Sequence, residues 1–312
     1  MATDNQTILA KADMAISDLT GSGGYLATAQ AQKFLRILID ESRLMKMATV
    51  VPMRSHTQEI NKIRFGSRIL RAGAEAVALA EADRAKPDLS KSTLSSKLFK
   101  AEVNLSNEVL EDSIEQGELR QTVMQLMGEA ISRDVEEVVV RGDTASADTF
   151  LAQFDGLLKS ATSNVLNAGS VSTNKTIMRD MLKLMPSQFL RNKAQLRFLT
   201  SVDSEIDYRD SISDRQTARG DKALDDSAPV GYSGIPVMDI PLFPENLGGG
   251  LNETNMILSD PKNLNIGIWR KIQIETDKDV RRGVIFIVAT MRMDFKFAEE
   301  TAVVKATAVK VG

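Results

Sequence analysis

The chain contains no cysteine among its 312 residues. Disulfides, thiolate nucleophiles and cysteine-held zinc or iron–sulfur centres are thereby excluded. Histidine occurs once, as His56. A single imidazole cannot build a multi-histidine metal site within one chain, and a catalytic triad would rest on that residue alone. No apolar run approaches the roughly 18 residues that a membrane-crossing helix needs. Residues 1–20, MATDNQTILAKADMAISDLT, lack the basic and apolar regions of a secretory signal, so the expected place of synthesis is a cytoplasm. Charge of one sign is also missing: 39 Lys and Arg against 42 Asp and Glu give a net charge of −3, well mixed along the chain. That gives no global field for gripping phosphate backbones and no basic stripe of the kind a DNA-binding monomer carries.

What remains is an apolar content of 43% with 26% charged residues, the composition of a globular protein. Ile8, Leu9, Ala12, Ile16 and Leu19 are spaced as on a helix, and Gly21-Ser22-Gly23-Gly24 then interrupts the pattern. Phe34, Leu35, Leu38, Ile39 and Leu44 form a second helical face that ends before Pro52. From 56 to 70 the pattern alternates, with Ile63, Phe65 and Ile69 on one parity, and 97–105 repeats it with Phe99, Ala101, Val103 and Leu105. The small, polar stretch between them predicts a long two-stranded arm with a soft tip over 56–105. Such a hairpin is marginal alone, so its apolar face should rest on something else.

Residues 106–141 carry apolar residues at three- and four-residue steps, from Leu110 and Ile114 through Val135, Val138 and Val139. They predict one long helix, about 50 Å at 1.5 Å per residue. Ser106 is its expected N-cap, Gly117 a bend and Gly142 a helix-ending C′ glycine. Further on, 176–184 reads as helix, 203–229 as a charged mobile loop, 284–297 as a buried then alternating strand, and 303–311 as a last strand.

This order of elements resembles the tailed-phage major capsid proteins with the Hong Kong 97-type fold. The matching segments are Gly23-Gly24-Tyr25-Leu26 with the helix ending Asp40-Glu41-Ser42, Leu105-Ser106-Asn107-Glu108-Val109-Leu110-Glu111-Asp112-Ser113, and Glu136 to Asp143 followed by Phe154-Asp155-Gly156-Leu157-Leu158. Tyr232-Ser233-Gly234-Ile235-Pro236-Val237 with Pro241 and Pro244, and the ending from Arg292 to Phe297 and Ala302 to Lys310, complete the likeness. The resemblance implies an α+β fold divided into an N-terminal arm and lead-in helix (1–50), an extended loop with a flanking strand (51–105), a peripheral-domain spine helix (106–160), an axial domain (161–275) and C-terminal peripheral strands (276–312).

It further implies a structural, non-enzymatic protein of the virion capsid, assembled in the host cytoplasm with no membrane. Its copies would form pentamers and hexamers of an icosahedral head around double-stranded DNA, with a portal and a separate scaffolding protein as partners. Some family members cross-link lysine to asparagine, but Lys62, Lys86 and Lys91 on the loop match no such pattern. The alternative within the same fold is an encapsulin, a compartment shell housing a cargo enzyme.

No catalytic, cofactor-binding or metal site is assigned. Arg141-Gly142-Asp143 spells an adhesion tripeptide but reads as a helix end, and the glycine cluster at 21–24 lacks the GK[ST] of a phosphate loop. Asp277-Lys278-Asp279 lacks calcium-loop spacing and reads as solvated loop charge. The fourteen methionines read as adaptable packing, and Trp269 as a packing anchor. Arg64, Arg68 and Arg71 recur along the loop arm, and charge complementarity pairs them with Glu111 and Glu115 of a neighbouring copy's helix.

Overall fold

The computed structural model describes residues 43–64, 69–72, 78–112, 119–213, 230–250 and 252–312. In chain order its elements begin α1 (Arg43–Met47), β1 (Thr49–Pro52), β2 (Thr57–Arg64), β3 (Asp88–Ser95), β4 (Lys97–Ser106), α2 (Asn107–Asp112) and α3 (Leu119–Arg141). They continue α4 (Leu157–Ser160), β5 (Val165–Ser172), α5 (Lys175–Leu184), β6 (Arg197–Thr200), α6 (Val202–Ser213), β7 (Gly231–Tyr232) and β8 (Ile235–Asp239). The last four are β9 (Glu253–Ser259), β10 (Leu264–Asp279), β11 (Val284–Phe297) and β12 (Val304–Lys310). Among the described residues the strands make a four-stranded sheet β1-β10-β11-β4, a six-stranded sheet β5-β12-β9-β6-β8-β7 and the pair β2-β3.

The six-stranded sheet separates two cores because successive strand side chains point to opposite faces. In β6, Phe198 joins Ile177, Met178 and Met181 of α5 and Tyr208 and Ile212 of α6, while its neighbour Leu199 turns to the other side. β9 divides in the same way, Met256 and Leu258 to the first core and Ile257 to the second. The second core also holds Val135, Val138, Val139 and Val140 of α3, Phe154, Leu157, and the inward residues of β10 and β11. Each such side chain stabilises by about 1.5–3 kcal/mol on full burial. Upstream on α3, Met127 packs on Leu105, Ile287 and Ala289. The helix, about 34 Å long at 1.5 Å per residue, thus runs along the four-stranded sheet and ends in the second core.

Gly142 and Gly156 make that ending possible. The Gly156 N–H donates to Gly142 O at 2.8 Å, and the Gly142 N–H donates to Val138 O at 2.9 Å. A Cβ on Gly142 would meet Phe154 O at 2.5 Å and Val138 O at 2.6 Å. The expectation of a left-handed C′ glycine is not met, since φ at Gly142 is not positive; close backbone approach is what demands glycine there.

Several expectations hold. The Ser106 hydroxyl accepts from the Val109 N–H at 3.3 Å, as an N-cap does. α5, β11 and β12 fall within a residue of 176–184, 284–297 and 303–311. Others change. Strand 97–106 does not pair with 57–64: β2 pairs with β3, from Thr57↔Ser95 to Arg64↔Asp88, and β4 pairs with β11. The reason lies in Leu105, Val103 and Ala101, which are drawn onto α3, whereas β3 carries as large apolar residues only Leu89 and Leu94, which fall on opposite parities. Residues 203–213, expected in a loop, lie in α6, whose buried Ser204, Tyr208 and Ile212 make a thin stripe at four-residue steps. Sheet membership also cuts across the expected divisions: β10 lies with β11, and β12 joins the sheet of β5 and β9. Gly117, residues 214–229 and most of the 1–50 arm lie outside the described residues.

Candidate assembly surfaces

The β2–β3 hairpin is joined to the rest of the fold at its base. There Leu94 is fully buried and Met53 nearly so, both lying on Gly267 of β10, where a Cβ would meet Met53 Sδ at 2.8 Å and Leu94 Cδ1 at 2.9 Å. The Ser95 N–H donates to Asp294 Oδ2 at 2.6 Å, and the Phe295 N–H donates to Asp294 Oδ1 at 2.8 Å. Burial raises the Asp294 carboxyl above the usual aspartate range, against the pull of these two donors and of Lys296 and Lys97. The Ser96 N–H donates to His56 O at 2.9 Å and closes the hairpin.

Beyond the base the hairpin carries apolar residues in the open. Ile63 and Leu89 face each other in register and are 70% and 75% exposed. Ile69, Leu70 and Leu79 follow, also exposed. A Lys91–Glu59 ion pair at 2.7 Å bridges the strands diagonally. At the far end of β10–β11, Val280 is 82% exposed beside Arg281 and Arg282. Asp277 and Asp279, expected as loop charges, end β10, and Asp279 Oδ1 caps the turn by accepting from the Arg281 N–H at 2.9 Å.

Two further anchors fix the body. Glu136 is buried on α3 and accepts from the Leu44 N–H at 3.1 Å, which ties the start of α1 to the helix. Glu300 accepts from the Thr162 and Ser163 N–H groups, both at 2.7 Å, and from both hydroxyls. Burial pushes Glu300 upward, but these four bonds together outweigh it and hold the carboxyl below the usual glutamate range. A cavity of about 90 Å³ lies between α3 and strands β4 and β11, lined by Phe99, Ile131, Val135, Phe150 and Met291 with Asp134 among them.

Of the residues expected at contacts between copies, Arg64 ends β2, Arg71 is exposed beyond it, and Glu111 lies in α2. Arg68 and Glu115 lie outside the described residues. Trp269, expected as a packing anchor, is 38% exposed in β10 and packs against His56 and Arg292. The roles of Asp294 and Glu300 are not visible in the sequence pattern, because each acts on backbone distant in the chain. Among the described residues no three or more His, Cys, Asp or Glu gather as a metal site, and no helix is long and apolar enough to cross a membrane.

A sequence profile described as the phage capsid family matches residues 23–308. The putative prophage capsid protein YqbE of Bacillus subtilis (strain 168) is 39% identical over 310 residues, covering 98% of this chain and 99% of the relative. Among solved structures, the capsid of the native GTA particle superposes with a TM-score of 0.69 at 15% identity, covering 93% of this chain and 98% of that one. The holo-SrpI encapsulin complex from Synechococcus elongatus PCC 7942 does so with a TM-score of 0.60 at 12% identity, covering 95% and 97%.

Proposed function

The chain belongs to the phage capsid family, with a Hong Kong 97-like fold, and on that premise we propose that it is the major shell protein of a phage head, its copies grouped as pentamers and hexamers of an icosahedral shell around double-stranded DNA. The observation that carries this reading is the exposed Ile63–Leu89 pair on a hairpin anchored, among its described residues, at its root. Buried against a sister subunit, such a pair becomes core, and many modest contacts of this kind add up over a closed shell.

In this reading residues 1–50 are the arm, 51–105 the extended loop with β4 as its flanking strand, and 106–160 the peripheral spine. Residues 161–275 supply the axial domain and 276–312 the C-terminal strands, with two changes that follow sheet membership: β10 goes with the peripheral part and β12 with the axial sheet. Arg64, Arg68 and Arg71 of one copy pair with Glu111 and Glu115 of the next. Charge reversal at Arg68 and Arg71 should therefore lower assembly yield and its salt sensitivity; unchanged values dismiss the pairing.

The near-even charge of the chain suits enclosure of DNA without sequence-specific binding. A portal and a separate scaffolding protein complete the set of partners. The encapsulin alternative shares the fold, but the 39% identical relative is named as a prophage capsid protein. Negative-stain microscopy of the expressed chain, with and without a candidate scaffolding protein, tests the reading. Uniform icosahedral shells are expected; a persistent monomer under both conditions overturns it.

A further inference from the structure

β11 turns Met291, Met293 and Phe295 into the second core, so Arg292 between them lies on the opposite face of the four-stranded sheet. Leu98 of β4, directly opposite in register, is 51% exposed there. On the other side Ile268 pairs with Met293 and Arg270 with Arg292, so Trp269 is the extra residue of a β-bulge. Its indole centroid lies 4.6 Å from the Arg292 guanidinium. Leu98, Arg292 and Trp269 thus make a row across three strands, a cation between two exposed apolar side chains. The cation is unanswered. Its buried Nε has no hydrogen-bond partner, and Arg292 has no ion pair among the described residues. The acids nearest along this face are engaged elsewhere: Asp294 accepts the Ser95 and Phe295 N–H groups, and Glu102 holds Lys100 Nζ at 3.0 Å. A guanidinium offers its donors as a planar fork that fits a carboxylate, and arginine and tryptophan are the residues that most often anchor contacts between proteins. Base stacking needs an open indole face, and Arg292 already covers one.

The same chain carries a complementary surface. On α6, Asp203, Ile206 and Asp210 fall on one helix face and are exposed, Ile206 at 54%. Neither acid has an ion pair among the described residues, and the nearby Arg209 is taken by Glu205 at 2.7 Å. Burial pushes the Asp207 carboxyl upward, and Asp203 and Asp210 on either side add to it, against the Gly312 N–H and Lys310. The spacings of the two surfaces agree. Asp203 and Ile206 are three residues apart, about 4.5 Å along the helix axis. Arg292 and Leu98 are one strand spacing apart, about 4.8 Å. With Asp203 over Arg292, Ile206 falls against Leu98, and Asp210 passes the free edge of β4, where Lys97 is exposed. Within one chain the two surfaces do not touch, because Tyr208 and Ile212 fix α6 in the first core.

We infer that α6 of one copy docks on the Leu98–Arg292–Trp269 row of the next, with Asp203 seated on Arg292 and Ile206 packed on Leu98. The two surfaces differ, so the contact is heterologous and passes from copy to copy, as in a ring. The neighbouring copy is supplied by the shell reading, on which this docking rests.

The absence of cysteine allows a direct test. Full-length Leu98→Cys chains are mixed with full-length Ile206→Cys chains under assembly conditions and oxidised briefly, and mixed disulfide dimers are measured on a non-reducing gel. Such dimers are expected. Adding Arg292→Glu to the first chain should lower their yield about tenfold or more. Adding Asp203→Arg to the second chain as well should restore it. Circular dichroism with a denaturant midpoint checks that each variant is folded, and Arg292→Gln takes the place of Arg292→Glu should the latter not fold. Icosahedral shells that form without the cross-link, or a yield indifferent to the Arg292 substitution, overturn the docking and leave the shell reading standing. A cross-link that needs Arg292 in the absence of shells does the reverse, and a chain that stays monomeric overturns both. Leu98→Cys joining Leu79→Cys in preference to Ile206→Cys makes the hairpin the occupant, and a single-stranded oligonucleotide retained by the native protein but not by the Arg292 variant makes it nucleic acid; either result overturns the docking of α6.

Discussion

Replacing Ile63 and Leu89 together with threonine should abolish or strongly weaken assembly while leaving the subunit folded. The two side chains are 70% and 75% exposed, so most of their apolar surface is still available to a partner. Full burial of a leucine or isoleucine stabilises by about 1.5–3 kcal/mol, which leaves about 1–2 kcal/mol to be gained by each residue at a contact. Threonine is β-branched, which suits a strand at either position, and carries one methyl, so the net loss for the pair is about 2–3 kcal/mol. At 1.4 kcal/mol per tenfold, each contact weakens by about thirtyfold to a hundredfold. A closed shell needs every subunit to make such contacts, so the concentration threshold for assembly should rise at least that far. Within the subunit, losing an exposed cross-strand pair costs only about 0.2–1 kcal/mol and touches neither core. Sedimentation velocity across a concentration series reads the threshold, and circular dichroism with a denaturant midpoint reads the fold. An unchanged threshold in a folded double variant would refute the assignment of this hairpin as an assembly element.

Gly142→Ala should destabilise by about 2–4 kcal/mol, read as a lower denaturant midpoint, because its methyl group would lie 2.5 Å from Phe154 O and force apart the crossing that closes the second core. Gly128→Ala, within α3, should stabilise by about 0.5–1 kcal/mol, read as a higher midpoint, since nothing lies within 4 Å of the added carbon and alanine favours the helix. Glu300→Gln should cost about 1–2 kcal/mol at neutral pH by replacing a charged acceptor of two backbone donors. The Glu300 carboxyl is held below its unfolded value of about 4.5, so its contribution is present above that pH and lost as pH falls through the folded value. The stability gap between native and Glu300→Gln should therefore close on acidification, and a gap independent of pH would remove the carboxylate from the clasp.

The parts of this fold that were legible in the sequence are those whose signal is local. β11 announces itself because Met291, Met293, Phe295 and Phe297 alternate with polar neighbours over a strand long enough to count. α5 does so because Ile177, Met178 and Met181 fall on one face behind Asn174, whose side chain accepts from the Thr176 and Ile177 N–H groups. β3 was illegible because its two large apolar residues, Leu89 and Leu94, fall on opposite parities, which leaves no apolar period to read. Asp294 falls on the polar parity of β11, yet it is buried, because the hairpin root covers that face of the sheet; the covering residues Met53, Leu94 and Ser95 are remote in sequence. No local pattern could place β12 in the six-stranded sheet either, since that choice is made by the crossover from Ala298 to Val303. There Asn263 and Asn164 bind the backbone at Glu299, Thr301 and Val303.

That crossover bears on where a shell could bend. Besides the asparagines, Glu300 grips Thr162 and Ser163, and the Lys305 ammonium donates to Leu158 O at 3.0 Å, so the passage between the two sheets is pinned from both sides. Leu199 and Ile257 of the six-stranded sheet sit in the same core as Phe295 and Val139, which leaves no plane of weak packing between the sheets. Close-packed cores respond to stress by discrete rearrangement and do not deform smoothly. If one chain serves in both pentamers and hexamers, the difference in angle between neighbours has to be taken up outside these cores. The hairpin root, with Gly267 beneath Leu94, the Asp294–Ser95 bond and the His56–Trp269 contact, is the place in the described structure where a whole element turns on a few side chains. Copies at the two kinds of position should therefore superpose closely in both cores and differ chiefly in the angle at residues 53–57 and 94–97.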